Sequence, residues 1–325
     1  MVELEGEITM ANTKEPYILV FGASVVDIFG FCDCKYKKFD SNPGYVKMSF
    51  GGVSRNIAEN MARIGLNTKF ISVLGNDETG RSMIEHSKQI GYDMRDSLIL
   101  QNSGTPTYMA VLNEKGEMIS AVADMKSIAE IDFEFIDSKR KIIEESEYTC
   151  LDADDPVNLE YLLNKFKGTK FILDPISAAK AKKIKHLIKY FHTIKPNRHE
   201  AEALVGFPIN NDEDLKRAGE YLLSQGAKKI FISLDEDGIY YTDGNESGKI
   251  KARNVEVKNV TGAGDAFVAG IGYGYMSDIN IVQTVKFAIA MSSITISHEE
   301  TINPNLDFNL VNEEIEKLVW EEIKY

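Results

Sequence analysis

The sequence predicts an α/β protein with a mostly parallel central sheet flanked by helices and a small antiparallel β flap rising from it. Three observations carry this. Short apolar runs alternate with stretches of helical period along most of the chain, as strands joined by crossover helices do. The runs are apolar at successive positions, the mark of strands buried on both faces. Two further segments instead show strands with one wet face.

The apolar runs are YILVFGA (17–23), KFISVLG (69–75), EYTCLDA (147–153), KFILD (170–174), FHTIK (191–195) and KKIFISL (228–234). Between the first two, VSRNIAENMARIG (53–65) places Ile57, Met61 and Ile64 on one face of a helix. NDEDLKRAGEYLLSQG (211–226) opens on capping residues and stops at Gly226. The flap comes from about 28–50 and 105–123, where TYMAVLN and MISAVAD flank the turn EKGE and VKMSF precedes a double glycine. Those strands are too few to fold alone, so they belong to a single domain over 17–325, with 1–16 as a flexible tail.

Of 325 residues, 37 are basic and 50 acidic, a net charge of −13. Nucleic acid and anionic membranes reward a basic face, so neither is an expected partner. An anionic ligand must be held locally, by helix ends, backbone amides, a few lysines or a metal. Three cysteines are too few for a disulfide scaffold, and the five histidines (His86, His186, His192, His199, His298) show no zinc spacing with them. No stretch reaches the roughly 18 apolar residues of a membrane helix. The first fifteen residues carry four glutamates and no apolar run, so neither a secretory nor a transit signal is expected there. The sparse cysteines make a cytoplasmic protein the expectation.

The most informative segment is NVTGAGDAFVAGIGYGYM (259–276), which turns through Gly262, Ala263 and Gly264 into a helix with Asp265 in its first turn. Unpaired amides and the helix dipole meet there, and small residues let the backbone approach a phosphate. Asp265 beside such a pocket can take the proton of an attacking alcohol while the amides hold transferring charge. In HTIKPNRHEAEALVG (192–206), Asn197 and Glu200 have capping-box spacing, and the same pair can serve Mg²⁺, Glu200 acting through water. Asp27, after the first strand, and Asn56, in a helix that opens on Gly51 and Gly52, suit a sugar diol. Singly, each of these has an ordinary structural reading: a first-turn acid, a cap, a loop aspartate, an exposed asparagine.

Other strings fail inspection. FGASVVD is no dinucleotide fingerprint, GNESGKI (244–250) is no P-loop, and LDEDGIYYTDG (234–244) lacks calcium-loop spacing and reads as a strand turn at Asp237–Gly238. No G-x-S-x-G element supports a serine hydrolase.

Taken in order, these features resemble the ribokinase-like, or PfkB, family of carbohydrate and nucleoside kinases from about Tyr17 to the C-terminus. DSNPGYVK (40–47), GGVSRNIAEN (51–60), ADM (123–125), DPISA (174–178), HTIKPNRHEAE (192–202), NVTGAGDA (259–266) and TINP (301–304) are most similar to its branch acting on pseudouridine. The resemblance implies a ribokinase-like fold and ATP- and Mg²⁺-dependent phosphorylation of the 5′-hydroxyl of that nucleoside. It makes Asp265 the general base and the amides of Gly262 through Asp265 the anion hole. Asn197 and Glu200 would handle phosphates and metal, and Ser233, Asp235, Gly238, Ala290 and Ser293 would border the nucleotide. Asp27, Gly51, Gly52 and Asn56 would hold the ribose, with Ser41, Asn42, Lys47, Thr107 and Asp124 on the flap side reading the base. Asn259 stands where many relatives have an acid that binds an alkali cation, which leaves K⁺ activation open. Flaps of two subunits packing into a homodimer lid are a further implication. Another sugar or nucleoside acceptor is an alternative, as is a non-catalytic nucleoside sensor, against which the intact Asp265 and Glu200 count.

Overall fold

The computed structural model describes residues 15–325, so the expected tail at 1–16, apart from its last two residues, lies outside the described residues. The main sheet has nine strands. From one edge they are Val319–Lys324, Ser247–Arg253, Ile239–Thr242, Lys229–Ser233, Phe191–Ile194, Phe171–Asp174, Tyr148–Asp152, Ile18–Phe21 and Thr68–Ile71. The last six run parallel and coincide with the six apolar runs. The first three are antiparallel.

Burial on both faces explains the unbroken apolar runs. Along Ile18–Phe21, Leu19 and Phe21 enter one core with Leu159, Leu204 and Leu222, while Ile18 and Val20 enter the other with Met61, Phe267 and Met291. Helices Pro156–Lys165, Arg198–Val205 and Asp212–Ser224 therefore cover one face. Val53–Arg63, Ala263–Met276 and Ile281–Ile296 cover the other. The two helices expected from periodicity are Val53–Arg63 and Asp212–Ser224, the second capped by Asn211.

Two strand readings change. KFISVLG divides at the buried Ser72, which bonds Ser24 through its hydroxyl and Ser97 through its amide; Val73–Gly75 then pairs with Leu98–Leu100 in a separate ribbon. Hydroxyls on both sides of the chain peel it from the main sheet. The edge strand Val319–Lys324 was not anticipated, because its burial is slight and its alternation weak.

The flap has the order Gly44–Gly51, Val25–Cys32, Thr107–Leu112, Met118–Asp124. Its outer pairs are antiparallel, but the central pair is parallel, so the flap is mixed and not antiparallel throughout. Both central strands leave the core in the same sense, and helices Val53–Arg63 and Glu78–Ile90 lie in the crossover between them. Register sets the faces. Asp27, Ser49 and Tyr108 lie abreast on one side, as do Phe29, Lys47 and Ala110; Ile28, Met48, Met109 and Val122 form a row on the other. Among the described residues, no helix is long and apolar enough to cross a membrane.

Candidate active site

The glycine turn is built by steric necessity. Gly262 caps helix Ala263–Met276 at φ +84, and a Cβ there would collide with the Thr301 carbonyl oxygen. No side chain caps this helix, and among the described residues the amides of Gly264 and Asp265 find no acceptor. Ser292 instead anchors the turn from behind, donating to the Ala263 carbonyl at 2.8 Å. At Gly264 a Cβ would stand 2.8 Å from Lys195 Nζ, so glycine admits a buried ammonium beneath the turn. That ammonium pairs with Asp174 at 3.0 Å, and both residues are buried. Burial opposes the Lys195 charge, yet Asp174 and then Glu200 hold its pKa above the usual lysine range. Free amides, a helix dipole and a fixed cation together give this turn the electrostatics that suit an anion.

Asp265 is buried beside it. Asn56 Nδ2 donates to its Oδ2 at 2.7 Å, and among the described residues no donor bonds Oδ1. Burial first, and Asp174 next, push the carboxyl up to about 7, against the pull of Asn56, Lys195 and Arg55. A carboxylate with that affinity is matched to proton transfer near neutrality. Asn56 comes from helix Val53–Arg63, which starts at Gly52, and Gly51 ends the flap strand opposite Val25. Asp27 packs against Gly51; burial raises its pKa, and nearby Arg55 opposes the rise. Asp27, Gly51, Gly52, Asn56 and Asp265 thus converge at the foot of the flap. Asn56 is more committed than its sugar-binding reading required, since its Oδ1 also accepts from Arg55 at 2.7 Å.

On the other side of Lys195, Asn197 and Glu200 form a full capping box. The Asn197 side chain accepts from the Glu200 amide, and the Glu200 carboxylate accepts from the Asn197 amide and side chain, both at 2.8 Å. Burial and Asp174 raise the Glu200 pKa. Each Glu200 oxygen keeps a lone pair, so the site fits a hydrated Mg²⁺ reached through water; direct ligation would compete with the cap. Ser233 bridges to Asn197 and donates its amide to the Pro196 carbonyl, which brings the Ser233–Gly238 turn, Asp235 included, alongside. Ala290 and Ser293 are different. Both are buried, and the Ser293 hydroxyl donates to Glu314 at 2.6 Å, so helix Ile281–Ile296 meets the turn through Ser292 and not through them.

The flap set divides. Lys47 shares the face of Asp27 and reaches Glu300 at 3.5 Å, next to the Thr301 that packs on the turn. Asn42 closes the exposed loop beyond its strand, bonding the backbone of Lys37 and Asp40, with Ser41 at the tip. Thr107 and Asp124 face each other in register, but on the side of Val26, away from Asp27. A strand alternates its faces at every residue, so these two do not join Lys47 over the pocket of their own chain. Asn259 donates to the Glu299 carbonyl and accepts from the Thr261 amide, tying down the approach to the turn. Sequence reasoning missed Arg55, Glu59, Asp174, Lys195 and Ser292. Their signal was charge or hydroxyl inside elements that are otherwise buried.

Comparison with known proteins bears on the family and the fold. The profile of the pfkB family of carbohydrate kinases matches residues 15–308. The pseudouridine kinase of Escherichia coli K12 is 32% identical over 295 residues, which span 90% of this chain and 94% of that one. A crystal structure of a Clostridium perfringens protein described as a candidate sugar kinase superposes with a TM-score of 0.93 at 63% identity, covering 96% of this chain and 99% of the other. Ribokinase from Arabidopsis thaliana, solved with ribose and ATP, shares the fold at a TM-score of 0.78 and 21% identity, covering 93% and 99%. An uncapped helix start, a buried carboxylate and a buried cation beneath the turn suit phosphoryl transfer to an alcohol, and the chain belongs to the pfkB family of carbohydrate kinases.

Proposed function

We propose that this protein transfers the γ-phosphoryl group of ATP to the 5′-hydroxyl of pseudouridine, giving pseudouridine 5′-phosphate and ADP. The observation that carries the chemistry is the Asn56–Asp265 hydrogen bond at an uncapped helix N-terminus. The observation that favours the acceptor is the 32% identity to a pseudouridine kinase over nearly both whole chains.

In this reading Asp27 and the remaining N–H of Asn56 hold the ribose diol. Asp265 Oδ1 takes the proton of the 5′-hydroxyl as its oxygen bonds to the γ-phosphorus, and the bond from that phosphorus to the bridging oxygen breaks to release ADP. The amides of Gly264 and Asp265, with Lys195 beneath them, hold the charge of the moving group. Mg²⁺, reached from Glu200 through water, neutralises phosphate charge when bound. The Ser233–Gly238 turn borders the nucleotide. Lys47 and its flap face cover the acceptor and exclude water, which suppresses loss of ATP to hydrolysis. ATP as donor suits a cytoplasmic enzyme.

The row Met48, Ile28, Met109, Val122 on the outer flap face, with Met48 54% and Val122 60% exposed, supports packing of two flaps in a homodimer. Such packing would also give Thr107 and Asp124 a pocket to face. The division of the flap set favours a second reading, another nucleoside or sugar acceptor. ADP release measured with pseudouridine, uridine, adenosine, ribose, fructose and fructose 6-phosphate decides between them. Pseudouridine should be preferred by kcat/KM; preference for any other compound defeats the assignment.

A further inference from the structure

The helix that carries Asn56 also carries a buried ionic chain with no place in the scheme above. Arg55 and Glu59 are each 3% exposed, and Arg55 Nη1 donates to Glu59 Oε2 at 2.5 Å. Arg63, one turn on, donates twice to Glu59 Oε1, at 2.9 and 2.7 Å, and His86 Nε2 lies 3.0 Å from Oε2. Burial works against the Glu59 charge, but His86, Arg55 and Arg63 together hold its carboxyl down at about 2. The other arm of the Arg55 fork donates to Asn56 Oδ1. Buried ion pairs give little net stability over an apolar replacement, so stability alone does not account for this one.

Resting on the phosphoryl-transfer reading, we propose that Arg55 is a positioning residue: clamped by Glu59, it sets the Asn56 amide with Nδ2 toward Asp265 and lends positive charge to the acceptor pocket. The logic is that of donors and acceptors. A guanidinium only donates and a carboxylate only accepts, whereas a primary amide does both and looks nearly the same after a half-turn. With Arg55 on Oδ1, the amide must present Nδ2 to Asp265. Without Arg55, the flipped amide presents its oxygen, which suits a protonated Asp265 and disables the base. The charge acts in the same direction. Asp265 is faced by Asp174 and Lys195 from the strand ends, by Arg55 and Asn56 from the helix, and Asp27 on the flap shares the Arg55 field.

The test compares Arg55→Met and Arg55→Lys with the parent enzyme. It reads kcat and acceptor KM, the acid limb of the kcat profile, and the titration of the Asp265 carboxyl by ¹³C NMR without substrates. Arg55→Met should lose on the order of 10²-fold in kcat, with limb and carboxyl titration moving up by about one pH unit or more. Arg55→Lys should keep the limb near its parental position but remain slow, because one ammonium cannot bridge Glu59 and Asn56 as the planar fork does. Turnover within about threefold of the parent in either variant, or an unmoved Asp265 titration in Arg55→Met, would overturn the proposal. If Arg55→Met does not fold, Arg55→Lys, which keeps the buried charge, decides alone. If the parent phosphorylates no acceptor, the phosphotransfer reading fails by itself and the carboxyl titration still judges Arg55.

Discussion

Replacing Asp265 with asparagine removes a charge from a site that resists it, and the consequences for rate and for stability have opposite signs. Burial and Asp174 hold the carboxyl at about 7 against its ordinary 3.8. The folded protein therefore binds this proton more tightly than the unfolded chain does. Asp265 favours folding below pH 3.8, and that contribution disappears as pH rises through about 7. A displacement of about three units at about 1.4 kcal/mol each sets an upper bound of about 4 kcal/mol for the burden carried above neutrality. Asparagine carries none of it, and its oxygen can still accept from Asn56. Asp265→Asn should thus melt several degrees above the parent at pH 8.5, with the gap closing toward pH 4.

Turnover should move the other way, falling by about 10²–10⁴, while parental activity climbs with pH through about 7 as the base ionises. Scanning calorimetry and ADP release on the same samples across that range measure both. A variant that melts at or below the parent at pH 8.5, with a gap that acidification leaves unchanged, would refute the buried-charge argument. One that keeps near-parental turnover would refute the base assignment.

Three further outcomes follow from the same geometry. Gly264→Ala should displace the Lys195 ammonium from beneath the turn and lower kcat by about 10²-fold with the fold intact, as steady-state kinetics and circular dichroism would report. Glu200→Gln should raise the Mg²⁺ concentration needed for half-maximal activity more than it raises acceptor KM; equal changes in both would remove Glu200 from the metal's surroundings. Ser293→Ala should lower stability by about 1 kcal/mol through the lost bond to Glu314 and leave the KM for ATP unchanged. A selective rise in that KM would return Ser293 to the nucleotide edge.

What could be read from the chain alone was what local chemistry determines. The six parallel strands announced themselves because both faces are buried, which leaves few polar interruptions, Thr149, His192 and Thr193 among them, to mimic another element. The turn at Gly262–Asp265 and the box at Asn197 and Glu200 were legible for a similar reason: each places its partners within four residues. The flap was legible as texture but not as pairing. Its central strands, Val25–Cys32 and Thr107–Leu112, meet across more than seventy residues, and neither direction nor face is encoded in either strand by itself. Thr107 and Asp124 were assigned to the pocket for lack of that register.

The charged groups behind the site were invisible for a deeper reason. Arg55, Glu59, Asp174, Lys195 and Asp265 are all buried, and in a sequence each looks like a residue that ought to face water. Only the fold shows that Lys195 answers Asp174 while Arg55 answers Glu59. Had these pairs served only to neutralise one another, apolar residues of similar size would do as well or better. Their common feature is position: one cation lies beneath the turn, the other reaches Asp265 through Asn56, and that buried acid sits between them. Burial and, after it, Asp174 push the Asp265 proton affinity up while Asn56, Lys195 and Arg55 draw it down, and the balance falls near neutrality. Removing either cation should therefore raise the pH at which activity appears, and the melting point should fall as well, because a buried carboxylate loses its partner.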